Sequence, residues 1–151
     1  MRRRGLGRGG WCGEVKLPAR KPHFRFNPGA YEAGRSFEAS GDHCEACANP
    51  CGWKYTGGIY GLTEPTVCAR CVAEGKLDEL LGAGEYYLHD IELDDADPDL
   101  QLELLTRTPG FACFNPFKWP VMHGKPMVFV GYGEDVELIE IVDVVSAIQA
   151  A

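Results

Sequence analysis

No apolar run in this 151-residue chain approaches the roughly 18 residues that a membrane-spanning helix needs. Met1-Arg2-Arg3-Arg4 has the charge of a signal-peptide start, but Gly5 to Gly13 is glycine-rich where an apolar segment should follow. We therefore expect a cytoplasmic protein with no membrane contact. No nucleophile elbow, phosphate loop or internal repeat is present. Glu85 to Glu103 holds eight acids and neither lysine nor arginine. Glu92, Asp94, Asp95, Asp97 and Asp99 superficially suggest calcium. They lack the loop glycine and terminal glutamate of an EF-hand, so calcium is not expected.

Charge is unevenly spread. Residues 1–25 carry eight basic side chains against Glu14, a local charge of +7. The whole chain is −7, so the remainder carries −14. An acidic body repels a phosphate backbone, which disfavours nucleic acid as a partner and favours a basic protein. Asp94, Asp95, Asp97 and Asp99 are the candidate partner surface. The plainer reading is a solvated acidic face that aids solubility. The glycine- and arginine-rich first 21 residues read as a disordered tail, with an RNA-binding arm as the alternative.

Five of the seven cysteines fall between His43 and Gly75. Cys44 and Cys47 form one C-x-x-C, Cys68 and Cys71 another, with twenty residues between the pairs. That spacing fits a zinc site. Two thiolates three positions apart on a tight turn can face one ion, and two such turns complete a tetrahedron with Zn–S of about 2.3 Å. Disulfides are disfavoured by the odd cysteine count and a reducing compartment. A redox site needs one pair beside a βαβ pattern, not two pairs. Cys51 competes with Cys47 as a ligand, and His43 with Cys44. Four cysteines leave no open coordination position, so one structural zinc is expected.

The surrounding pattern suits such a site. Trp53 to Tyr60 reads as a hairpin about Gly57-Gly58. A helix is expected from Ala69 through Leu77, Leu80 and Leu81, with a break at Gly75. Knuckle, hairpin and helix form a treble-clef or zinc-ribbon plan over about residues 43–82. His23 to Phe26 alternates like a strand that ends at Asn27-Pro28-Gly29. Asp97-Pro98 opens a helix that should stop before Thr108-Pro109-Gly110. Met127 to Val130 is a strand candidate. Glu134 to Ala150 reads as a terminal amphipathic helix. The sum is one α+β domain over residues 22–151, built around a four-cysteine zinc site.

Phe24-Arg25-Phe26 with Pro28, Gly34, Phe37, the first C-x-x-C, Tyr55-Thr56-Gly57, Tyr60, and the second C-x-x-C running to Gly75 form one set of features. Arg107-Thr108-Pro109-Gly110-Phe111, Trp119 and His123-Gly124 continue it. Together, over about Pro22 to Gly131, these stretches resemble the CbrC family of small bacterial proteins. The resemblance implies no established enzyme activity and an association with colicin tolerance, hence a toxin-tolerance or immunity role through protein binding. Two departures stand out. The family's second knuckle usually reads Cys-Pro-Trp-Cys, where Ala69-Arg70 stands here. Its glutamine-rich stretch is replaced by Phe114-Asn115-Pro116-Phe117-Lys118 before Trp119.

A catalytic alternative rests on Arg107, Trp119 and His123. A histidine beside an arginine could perform acid–base work with anion stabilisation, as in a hydrolase. The plainer reading has Arg107 at a helix C-terminus, Trp119 in the core and His123 in a turn.

Overall fold

The computed structural model describes residues 21–59, 63–82, 98–113 and 118–132. Two strands, β1 (Phe37–His43) and β2 (Pro50–Tyr55), pair antiparallel. Phe37 faces Tyr55 and His43 faces Pro50, with an irregularity between Ser40 and His43. Two short helices follow, α1 (Ala69–Ala73) and α2 (Lys76–Leu81). Gly75 separates them at φ 77°, a left-handed value that glycine adopts without penalty. The expected helix with a break at Gly75 is therefore present. Next comes α3 (Pro98–Arg107), which ends before Thr108-Pro109-Gly110 as expected. A small hairpin, β3 (Val121–Met122) with β4 (Lys125–Pro126), completes the described elements.

Three expectations are corrected. His23 to Phe26 forms no strand, and Asn27 N–H donates to the Phe24 carbonyl at 3.1 Å, closing a turn. Phe24 and Phe26 are both buried, but each enters a different cluster, so their alternation records packing rather than a ladder. Among the described residues, which stop at Ile59 on this side, no second strand follows Gly57-Gly58 to form the expected hairpin. β2 ends at Tyr55 and pairs upstream with β1. Gly57 lies against the Tyr55 ring instead, where an added Cβ would stand 2.3 Å from the hydroxyl. Met127 to Val130 is not a strand, although Phe129 N–H still donates to the Phe26 carbonyl at 2.8 Å. The basic tail before residue 21 and the terminal helix from Glu134 lie outside the described residues.

Two apolar clusters form the interior. One gathers Phe24, Phe37, Tyr55, Val67, Val72 and Leu77 with the cysteines. The other gathers Phe26, Leu104 and Trp119, flanked by Phe111 and Phe129, whose rings stack at 4.0 Å. Between them lies a buried polar seam. Asn27 Nδ2 donates to Ser36 Oγ and to the Pro109 carbonyl, each at 3.1 Å. Ser36 Oγ donates to the Gly110 carbonyl, and Gly110 N–H donates to the Tyr55 hydroxyl at 3.2 Å.

Candidate metal centre

Cys44 follows β1 directly, so the first knuckle is the turn of the hairpin. Cys44 N–H donates to the Asn49 carbonyl at 2.9 Å, and Ala48 N–H donates to the Cys44 carbonyl at 2.7 Å. Closing this tight loop puts Ala48 at φ 57°, a position an alanine takes only at some cost. The second knuckle is tied to the same hairpin. Tyr55 N–H donates to the Val67 carbonyl at 2.8 Å, and Lys54 bridges Cys68. Glu45 N–H reaches the Thr66 carbonyl at 2.8 Å, while Glu45 Oε1 accepts from Thr66 N–H at 2.7 Å. Cys68 then precedes α1, and Cys71 lies within it.

The result is four sulfurs, of Cys44, Cys47, Cys68 and Cys71, all within 4.8 Å of one another. Cys47 Sγ and Cys68 Sγ are 4.0 Å apart. A tetrahedron with Zn–S of about 2.3 Å has edges of roughly 3.8 Å, so the donor set is close to the geometry that ion requires. Cys44, Cys68 and Cys71 are buried and Cys47 is half-buried. The cluster can hold a metal ion. Cys68 N–H donates to Cys44 Sγ at 3.3 Å, a contact that favours thiolate. The six described cysteines form no disulfide.

The thiols without metal differ in acidity. Burial works against the Cys47 thiolate, but hydrogen bonds from Asn49, Cys71 and Cys44 prevail and bring it down to about 6. Burial and the neighbouring sulfurs push Cys71 strongly upward. Four thiols crowded around one point cannot all ionise unaided, and a dication removes that conflict. Cys51 stands apart. It is buried outside the four-sulfur group, and burial, then the charge of Cys44 and Cys68, raises it to about 12. His43 is exposed at the end of β1 and is also outside the group. Neither sequence-level competitor joins the cluster.

Arg107, Trp119 and His123 occupy three different settings. Arg107 closes α3 and lines a 140 Å³ cavity with His23, Phe24, Ala73, Glu103 and Thr108. Trp119 is core, 2% exposed, with Nε1 donating to the Met127 carbonyl at 2.7 Å. His123 is exposed at the β3–β4 turn, with φ 52° beside Gly124 at 73°, the left-handed pair of a primed hairpin turn. Of the acidic candidates, Asp99 is exposed in the first turn of α3, and Asp94, Asp95 and Asp97 lie outside the described residues.

Sequence reasoning missed the polar seam and a cleft beside the metal centre. Asn27 was legible only as a turn residue, although a turn asparagine with a buried side chain is what locks that seam. The cleft draws on Lys21, His23, Trp53 and Arg70, residues too far apart in sequence to signal a common site.

Fold and site together define a small protein of mixed helix and strand with four clustered cysteines able to bind a metal. The chain belongs to the uncharacterised protein family UPF0167, whose family model matches residues 21–149. It is 33% identical to UPF0167 protein PA1536 of Pseudomonas aeruginosa over 115 residues, 73% of this chain and 63% of that protein. The chain thus spans somewhat under two thirds of that relative's length. It is 28% identical over 138 residues to UPF0167 protein Mb2317 of Mycobacterium bovis, 90% of this chain and 73% of that one. UPF0167 protein MT2352 of Mycobacterium tuberculosis matches to the same extent. No solved structure matches. The expected membership of CbrC is corrected by these matches, which carry the UPF0167 description throughout. The colicin-tolerance role rested on that likeness and falls with it. Among the described residues, no helix is long and apolar enough to cross a membrane.

Proposed function

We propose that this UPF0167 protein is a cytoplasmic, non-enzymatic binding protein whose fold is stapled by one structural zinc. The mutual approach of four cysteine sulfurs to within 4.8 Å carries this reading. Zinc suits an all-thiolate tetrahedron, and its bound chemistry here is structural, since four thiolates fill its shell. The chain's own parts do the rest. The hairpin turn presents one pair, the entry to α1 presents the other, and the Cys68 amide steadies a sulfur. A knuckle on a hairpin, bridged to a helix that carries the second pair, supports the treble-clef or zinc-ribbon plan.

The partner we propose is a basic protein, met by the acidic stretch from Glu85 to Glu103. Metal analysis of purified protein should give one zinc per chain, and pull-down with mass spectrometry should return a basic protein. Replacing Asp94, Asp95, Asp97 and Asp99 by Asn should slow that association and flatten its salt dependence. If the association rate ignores both salt and the four neutralisations, acidic docking is wrong. Loss of a catalytic activity on replacing His123 by Ala would instead favour the enzyme reading. Dependence on Arg2, Arg3, Arg4 and Arg8 would favour an RNA-binding arm.

A further inference from the structure

Beside the metal centre lies a cleft of about 650 Å³, walled by the segment entering the fold, by β2 and by the start of α1. That volume lies within the roughly 300–1,000 Å³ typical of small-ligand sites. The chain carries −7 overall, yet no carboxylate occurs among the described residues that line the cleft. Lys21, His23 and Arg70 line it instead, with the Asn49 amide and the Trp53 ring.

The cations are held in place. The Lys21 ammonium lies 4.0 Å from the Trp53 ring centroid and 4.9 Å from that of Tyr31. The Tyr31 hydroxyl donates to the Pro22 carbonyl at 2.9 Å, pinning the segment that carries Lys21 and His23. Lys21 is nonetheless exposed, so its ammonium is reachable from solvent. Arg70 lines the cleft beside Cys47, and its Nε is 3.8 Å from Glu74. Glu74 is drawn closer to Lys76, at 2.6 Å. Five donors on one guanidinium leave N–H groups to spare.

We propose that this cleft binds an organic monocarboxylate with an apolar body. Lys21 and Arg70 take the carboxylate, and Trp53, Pro22 and Pro50 receive the body. The charge balance rests on the zinc reading above. Zinc with four thiolates is a dianion forming one wall, which Lys21 and Arg70 balance, so the cleft takes at most a single negative charge and disfavours polyanions. The source of the acid is either a free small molecule or a peptide C-terminus, and both offer this chemistry.

The Trp53 indole N–H in a ¹⁵N-correlated NMR spectrum is the reporter, assigned with Trp53→Phe. The probes are 3-phenylpropionate, its amide, a tripeptide ending in phenylalanine with free or amidated terminus, and inorganic triphosphate. The acids should shift the signal saturably, and both amides should bind roughly tenfold or more weakly. Whichever acid binds tighter identifies the source. Lys21→Gln should weaken binding by a similar factor, and Arg70→Gln likewise. Zinc content is measured on every sample. A variant that loses zinc is set aside in favour of Lys21→Gln, which touches no cysteine. Equal binding of acid and amide, tighter binding of triphosphate, or no shift with any probe at millimolar concentration overturns the proposal. Zinc-free wild-type protein would instead sink the zinc reading, whatever the carboxylates do.

Discussion

Phe37, Tyr55, Val67, Val72 and Leu77 pack around the cysteines, while Phe26, Leu104 and Trp119 pack with Phe111 and Phe129. The first group hangs on elements of five to seven residues: a short hairpin and two helices of five and six residues. Isolated helices that short do not persist in water. The second group has the ten-residue α3 and large stacked rings. One half has the larger apolar cluster but only short elements to carry it, and it has sulfur to bind a metal. The other has fewer buried side chains, carried by a longer helix and by stacked rings, with no sulfur among them. Short elements gain from a metal staple and a longer helix from apolar packing, and one domain can use both side by side.

The comparison breaks most visibly at the metal. Structural zinc contributes about 10–16 kcal/mol in finger peptides, comparable to the ~5–15 kcal/mol total stability of a domain. Cys68→Ser, or a strong chelator, should therefore cost the protein its cooperative melting transition and its zinc together. Metal analysis and calorimetry on the same sample check this. An unchanged melting curve with zinc gone would show that the cysteine half stands by packing alone.

Leu104→Ala probes the other half. Leu104 is fully buried between Phe26 and Trp119. Truncation should cost ~2–5 kcal/mol through lost contacts and a residual cavity. Zinc content should stay at its wild-type value. If this substitution also releases zinc, the two clusters are one cooperative unit and the contrast between them is too sharp.

How much of this contrast the sequence disclosed follows from the range of each signal. The four cysteines were legible because ligand chemistry fixes both residue type and spacing. Gly75 and Thr108-Pro109-Gly110 were legible because backbone breakers act locally. β1 was not. In Phe37–His43 only Phe37 is buried, so no alternation marks the strand, and its position is set by the knuckle it leads into. Gly57-Gly58 misled for the opposite reason. The pair looks like turn chemistry, but Gly57 is required by a ring from β2 that passes beneath it. Asn27 and Gly110 are 83 positions apart, beyond the reach of any local pattern.

That seam offers the next test. Asn27→Ala removes the donor that the Pro109 carbonyl and Ser36 Oγ share. Leaving a buried acceptor unpaired costs ~1–3 kcal/mol. The loss should lie below that of Leu104→Ala, with zinc retained. Because the seam touches both halves, a double-mutant cycle with Leu104→Ala should show coupling, whereas independent clusters would give additive losses.

The smallest expected effect lies on the surface of the hairpin. Lys54 Nζ contacts Asp42 at 3.0 Å and Glu38 at 3.1 Å. The hydrogen bond from Lys54 holds the Asp42 carboxyl below its usual range, with Ser40 assisting. A carboxylate with a depressed folded-state pKa adds stability above its unfolded pKa and loses it as pH falls through the folded value. The window therefore lies on the acid side of the ordinary aspartate range. Both partners reach solvent, so screening keeps the contribution slight. Asp42→Asn should leave the neutral-pH melting temperature almost unchanged at high salt and lower it only slightly at low salt. It should also flatten the acid limb of the stability profile. A large loss at neutral pH and high salt would mean that this ion pair, and not zinc alone, holds the knuckle-bearing hairpin together.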